Sequence, residues 1–68
     1  MQTGYNVWLG QAVILQVAVG NIQVPLRGKL LKESSDTVRM RIGDEWDVDI
    51  YKNMILKVEE DRLALMPA

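Results

Sequence analysis

Residues 12–31, AVILQVAVGNIQVPLRGKLL, decide the fold because this segment can pair with itself in a single register. Folding it across Gly20-Asn21, a dipeptide typical of two-residue hairpin turns, brings apolar residues opposite apolar residues. The resulting pairs are Val19–Ile22, Val17–Val24, Leu15–Leu26 and Val13–Gly28. A slip of one residue would turn the apolar set to the other face, so the alternation fixes the register of a predicted β-hairpin.

Residues 38–50, VRMRIGDEWDVDI, predict a second hairpin that turns across Gly43-Asp44-Glu45. One face of this hairpin is apolar, and the other face pairs cations with carboxylates. The apolar pairs are Ile42–Trp46, Met40–Val48 and Val38–Ile50, and the charged pairs are Arg41–Asp47 and Arg39–Asp49. This strict alternation is typical of a strand pair with one buried and one solvated face.

The whole chain is predicted to form five short strands in sequence. Their expected bounds are Ala12–Val19, Ile22–Leu31, Thr37–Ile42, Trp46–Ile50 and Met54–Glu59. A helix beginning at Asn53 is the alternative for the last segment, although it would spread the apolar residues around the cylinder. Pro25 cannot donate to a ladder, so it predicts an edge or a bulge, and Gly28 predicts a bend or a close backbone approach.

An all-β domain of this kind has few ways to protect its edges, so the fold class expected is a small five-stranded antiparallel barrel, SH3-like or Sm-like. Residues 1–10 are expected to form an N-terminal arm whose Trp8 packs on the barrel or on a neighbour, residues 11–62 the barrel, and residues 63–68 a tail. The predicted core is Val13, Leu15, Leu26, Leu30, Val38, Met40, Val48, Ile50, Leu56 and Val58, with Trp46 on the same side.

Composition narrows the function classes. The 68 residues contain no cysteine and no histidine, which removes disulfides, thiolate chemistry and the commonest general base. The net charge of -1 argues against a strongly basic nucleic-acid module but not against a local basic patch. With 49% apolar residues in so small a domain, part of the apolar surface is expected to lie in a homo-oligomer interface. We expect a cytoplasmic protein without a membrane segment, a metal or a small-molecule cofactor.

Cations are predicted to gather on the outer face of the sheet. Closing Leu31 onto Thr37 would pair Leu30 with Val38 and so place Lys29 opposite Arg39 and Arg27 opposite Arg41. Clustered arginines suit phosphate contacts, which gives a candidate nucleic-acid surface. The competing interpretation, which the pairing favours, is a solvated ladder in which the aspartates of the next strand neutralise the arginines.

Tyr51 and Lys52 are a second candidate site, because an exposed aromatic ring beside a cation can stack a nucleic-acid base. Both are expected to be exposed where the fourth strand turns into the fifth. The acidic residues of segment 44–49 lack the spacing of a calcium loop, and Ser34 and Ser35 have no base to activate them. An enzyme is therefore not expected.

The segment from Val13 to Val58 resembles the Sm-like family, including its Hfq-type branch. The resemblance rests on Gly28-Lys29-Leu30 in a bent second strand and on residues 50–55, IYKNMI, which match the aromatic-Lys pair between strands four and five. Asn53 stands where Hfq-type proteins have histidine. The resemblance implies a ring oligomer that binds single-stranded RNA near Tyr51 and Lys52.

A shorter resemblance, carried by residues 38–42 and 48–55, is to the carbon storage regulator family of RNA-binding homodimers, with Lys52 at the basic position. The sequence thus predicts a self-associating barrel that binds RNA without catalysis. The predicted contacts are Arg27, Lys29, Arg39, Arg41, Tyr51 and Lys52. The alternative is a structural or protein-interaction barrel with no nucleic-acid role.

Overall fold

The computed structural model describes the backbone of residues 4–65 and the side chains of residues 4–63. Its strands are β1 (Ala12–Val19), β2 (Ile22–Glu33), β3 (Thr37–Ile42), β4 (Trp46–Tyr51) and β5 (Ile55–Glu60). A short helix, α1 (Arg62–Leu65), follows β5, and two 3₁₀ helices lie at Asn6–Trp8 and Lys52–Met54. The strand prediction for the last segment is confirmed. The end of the predicted tail, residues 66–68, and the first three residues of the predicted arm lie outside the described residues.

The five strands form one antiparallel sheet in the order β4-β3-β2-β1-β5. The all-β, five-stranded prediction is therefore confirmed. Strands β4 and β5 are the two edges of the sheet, and they do not pair with each other, so the sheet is not closed into a barrel. The 3₁₀ helix at Lys52–Met54 leaves the β4 edge and contacts β1, which lies beside β5.

The registers of both predicted hairpins are confirmed. Val19 faces Ile22 and Val13 faces Gly28 in the first hairpin. The second hairpin pairs Ile42 with Trp46 and both arginines with their predicted aspartates. Gly20 has a φ of 61°, the left-handed conformation that a tight hairpin turn requires of its first residue.

The predicted register between β2 and β3 is wrong. Leu30 faces Met40 rather than Val38, and the cation rows shift to Lys29–Arg41 and Lys32–Arg39. Two features cause the shift. Strand β2 runs on to Glu33, and the connection is closed by the Ser34 N–H, which donates to the carbonyl of Thr37 at 2.8 Å. A bulge between Leu30 and Lys32 then places Lys32 opposite Arg39 and Glu33 opposite Val38.

Seven apolar side chains make up the buried core: Val13, Leu15, Val17, Leu30, Val38, Met40 and Ile50. Leu26, Val48 and Val58 pack against this core and are partly buried, as is Trp8 of the N-terminal arm. Two core predictions are wrong, because Trp46 is 71% exposed and Leu56 is 57% exposed. Trp46 lies on an edge strand at the tip of its hairpin, and Leu56 is the residue that the bulge in the β1–β5 ladder leaves without a partner.

Gly28 allows β2 and β3 to approach closely. A Cβ atom at this position would overlap the carbonyl oxygen of Arg41 and would lie 2.8 Å from the Cγ of Met40. The part of β2 before Gly28 has no partner in β3, which leaves Pro25 on an open edge as its missing N–H requires. Before Gly28, β2 pairs with β1 alone; after Gly28, it also pairs with β3.

Candidate functional site

A surface groove of about 390 Å³ lies between the β2–β3 connection and the 3₁₀ helix that follows β4. Its lining residues are Ser35, Asp36, Tyr51, Lys52 and Asn53. The volume falls in the range of about 300–1,000 Å³ that is typical of small-ligand sites. Two of the six predicted contact residues, Tyr51 and Lys52, therefore line one concave surface.

The two walls of the groove are joined by the backbone. Thr37 pairs with Tyr51 at the end of the β3–β4 ladder, and the N–H of Lys52 donates to the carbonyl of Asp36 at 2.8 Å. The loop before β3 and the helix after β4 therefore hold a fixed distance from each other. Tyr51 is 60% exposed, as predicted, so it presents an aromatic surface beside this joint.

Lys52 is not the exposed cation that the sequence predicts. Its Nζ lies 2.6 Å from Oε2 of Glu33, and only 25% of its side chain and 16% of the Glu33 side chain are exposed. The amine also lies 5.9 Å from the centre of the Tyr5 ring. Lys52 is thus held in an ion pair at one side of the groove, and Glu33 already balances its charge.

Glu33 also ties the N-terminal arm to this end of the sheet, because its Oε1 accepts a hydrogen bond of 2.9 Å from the backbone N–H of Tyr5. The hydrogen bond from Lys52, together with the one from Tyr5, lowers the pKa of Glu33 below its ordinary value, since both favour the carboxylate. The glutamate therefore stays ionised near neutral pH and connects three segments: the arm, the end of β2 and the helix after β4.

The predicted cationic face is a ladder of ion pairs. The Nε and Nη2 atoms of Arg39 donate to the two carboxylate oxygens of Asp49 at 2.9 and 3.2 Å. Arg41 forms the same bidentate pair of hydrogen bonds with Asp47, at 2.8 and 3.2 Å. These hydrogen bonds lower the pKa of both aspartates and raise the pKa of both arginines. The ladder matches the interpretation in which the aspartates neutralise the arginines.

The two remaining predicted contacts lie on β2. Arg27 is 3.8 Å from the carboxylate of Asp61, which is buried at the end of β5. Lys29 faces Arg41 across the β2–β3 ladder and forms no ion pair with any residue that the structure describes. The predicted set therefore divides between two places: Arg27, Lys29, Arg39 and Arg41 lie on the sheet, and Tyr51 and Lys52 lie at the groove.

Sequence reasoning missed four residues that shape the groove: Glu33, Ser35, Asp36 and Asn53. One signal for Asp36 was present in the second hairpin. Extending its register by one pair joins Thr37 to Tyr51 and so brings Asp36 beside Lys52. No comparable signal existed for Glu33, because its contact with Lys52 depends on where the chain runs after β4.

Comparison with family models, with curated proteins and with solved structures finds no match to this chain. Within residues 4–65, no helix is long and apolar enough to cross a membrane. The same residues contain no group of three or more acidic, histidine or cysteine side chains arranged to hold a metal ion.

Proposed function

We propose that this protein is a small self-associating β-barrel that binds single-stranded RNA at the groove and carries out no catalysis. One observation carries the proposal: an exposed aromatic ring, Tyr51, stands in a concave surface whose two walls are fixed to each other by a backbone hydrogen bond. Stacking of a base on such a ring contributes about 1–3 kcal/mol and tolerates any sequence, because every base has a π-face. The resemblance of residues 50–55 to the Hfq-type motif points to the same place.

The charges of the groove favour stacking over phosphate contacts. Lys52 is neutralised by Glu33, and the arginines of the sheet are neutralised by aspartates. Few cations remain to displace counterions from a phosphate backbone, so the salt dependence of binding is expected to be shallow. Affinity is expected to come from the ring of Tyr51 and from polar contacts with the base.

The test is an anisotropy titration of labelled single-stranded RNA at low salt, followed by a salt series. Tyr51→Ala is expected to weaken binding by about 1–3 kcal/mol, the usual value of one stacked base. Ile22→Ala is the control, because Ile22 is an exposed apolar residue at the start of β2, outside the groove and outside both edge strands, and it should leave binding unchanged. Absence of binding at low salt would refute the proposal.

The variant pair Arg39→Gln and Arg41→Gln distinguishes the groove from the outer face of the sheet. If RNA lies on the outer face, removing both arginines should weaken all sequences about equally, since phosphate contacts carry no sequence information. If RNA lies in the groove, the double variant should bind like the wild type.

Self-association is supported by the two open edges of the sheet, β4 and β5. Open edges invite pairing with another chain, and both edges carry exposed apolar residues, Trp46 and Leu56. The contact of the 3₁₀ helix after β4 with β1 supports the barrel, since it brings the segment that follows one edge strand against the neighbour of the other. Light scattering should show an oligomer that Leu56→Lys disrupts, whereas Val7→Lys, at an exposed apolar residue outside the strands, should leave the oligomer intact.

A protein-interaction role without nucleic acid is the second candidate. The observation that favours it is the ladder of two Arg–Asp pairs, which leaves the outer face of β3 and β4 without a free cationic patch. If the protein is oligomeric and binds no RNA at low salt, this second candidate becomes the better explanation.

A further inference from the structure

We propose that the groove selects guanine, with the Asp36 carboxylate as the residue that determines specificity. This inference rests on the proposed function, and it adds which base the site accepts. Asp36 lines the groove and is exposed, and its carboxylate forms no hydrogen bond or ion pair with any described residue. An ionised carboxylate can only accept hydrogen bonds, through two oxygens side by side.

The carboxylate has a fixed support. The main-chain carbonyl of Asp36 accepts the N–H of Lys52, and Ser34 closes the connection by donating to Thr37, both at 2.8 Å. The loop is therefore fastened on both sides of Asp36, which holds the backbone that carries the carboxylate at a constant place relative to Tyr51. A base stacked on Tyr51 would turn its edge towards this acceptor pair.

Lys52, the other charged residue that lines the groove, does not neutralise the Asp36 carboxylate. The ammonium of Lys52 gives one of its N–H donors to Glu33 at 2.6 Å, and this pairing and the 25% exposure of its side chain weaken it as a donor for a carbonyl-rich base edge such as that of uracil. The groove therefore presents one anionic acceptor pair and no competing free cation among its lining residues.

Only guanine satisfies both oxygens at once. Its Watson–Crick edge carries the N1–H and the N2 amino group side by side, and both are donors. Adenine and cytosine place a ring nitrogen acceptor beside their amino group, and uracil places its single N–H between two carbonyls, so each would set an acceptor against the carboxylate. A well-formed two-pronged contact discriminates between bases by about tenfold or more.

The experiment compares short adenine-rich RNAs that differ at one central position, with guanine, inosine, adenine or uracil there. A single guanine avoids four-stranded structures. Wild-type protein should bind the guanine RNA about tenfold more tightly than the adenine and uracil RNAs. Inosine lacks only the N2 amino group and should fall between them.

Asp36→Asn should bring the affinities for guanine and adenine close together, because an amide offers one acceptor in place of two. Asp44→Asn is the matched control, since it removes the same charge from an exposed turn in the β3–β4 connection, and it should keep the guanine preference. Equal wild-type affinity for guanine and adenine would overturn the inference, as would an Asp36→Asn variant that keeps the preference.

The outcomes separate this inference from the function on which it rests. RNA binding that depends on Tyr51 but shows no base preference refutes the guanine site alone. Absence of binding to every RNA refutes both proposals. A labelled arginine-containing peptide is the competing probe, because a guanidinium also presents paired donors. Peptide binding that needs Asp36, in a protein that binds no RNA, would overturn the inference in favour of a protein ligand.

Discussion

Replacing Gly28 with alanine tests whether the close approach of β2 and β3 requires a residue without a side chain at this position. The new methyl would overlap the carbonyl oxygen of Arg41 and would lie 2.8 Å from Cγ of Met40. The methionine can change its rotamer, but the carbonyl belongs to β3 and cannot yield without parting the strand pair at Lys29–Arg41. The cost should therefore lie near the upper end of the overpacking range of about 1–3 kcal/mol.

The net effect of Gly28→Ala is smaller than this gross cost, because alanine also restricts the unfolded chain and so returns about 0.4–1 kcal/mol. We expect a net loss of about 2 kcal/mol in the free energy of unfolding. For a domain of this size, that loss lowers the melting temperature by about 8–16 °C. Urea unfolding followed by circular dichroism measures it, with both proteins at the same concentration because self-association makes apparent stability depend on concentration.

Two further glycines provide the controls. A Cβ at Gly4 would have its nearest neighbour at 3.4 Å, so Gly4→Ala should leave stability unchanged or slightly raised. A Cβ at Gly20 would meet nothing within 4 Å, but the φ of 61° should cost alanine about 1–2 kcal/mol. The reasoning is refuted if Gly28→Ala is as stable as Gly4→Ala, because a steric overlap with backbone would then not exist.

Three more outcomes are expected. Leu30→Ala should lower the free energy of unfolding, measured in urea, by about 2–5 kcal/mol because Leu30 is fully buried. Leu56→Ala, at an exposed position, should change it by no more than about 0.5 kcal/mol, and similar losses for both variants would contradict the assigned core. The lowered pKa of Glu33 stabilises the fold above the ordinary glutamate value of 4.5, and this contribution is lost as the pH falls through the folded-state pKa. Melting curves of Glu33→Gln should therefore change less with acidification than those of wild type, and equal acid sensitivity would exclude Glu33 as a cause. Iodide should quench a variant that keeps only Trp46 more strongly than one that keeps only Trp8, and protection of Trp46 that grows with concentration would place it in the oligomer interface.

The sequence by itself determined the two hairpins. Alternating apolar residues around Gly20-Asn21 and around the turn at Gly43 leave one register in which both strands of a hairpin turn the same residues inward. The five-stranded all-β fold and the Arg–Asp rows follow from the same local pattern, since partners within a hairpin are few residues apart. The close backbone approach at Gly28 could also be predicted from the sequence, because a glycine inside a strand often marks a place where another backbone comes near.

Only the tertiary structure decided how the hairpins join and what they expose. The register between β2 and β3 depends on the Ser34–Thr37 closure and on the bulge after Leu30, and apolar alternation does not specify either one. Alternation likewise tells which face Trp46 occupies but not whether anything covers it, and an edge strand leaves it open. The contact of Glu33 with Lys52 could not be predicted from the sequence, because burial and long-range pairing depend on how the whole chain packs. Their ion pair neutralises a cation that was predicted to be free at the groove.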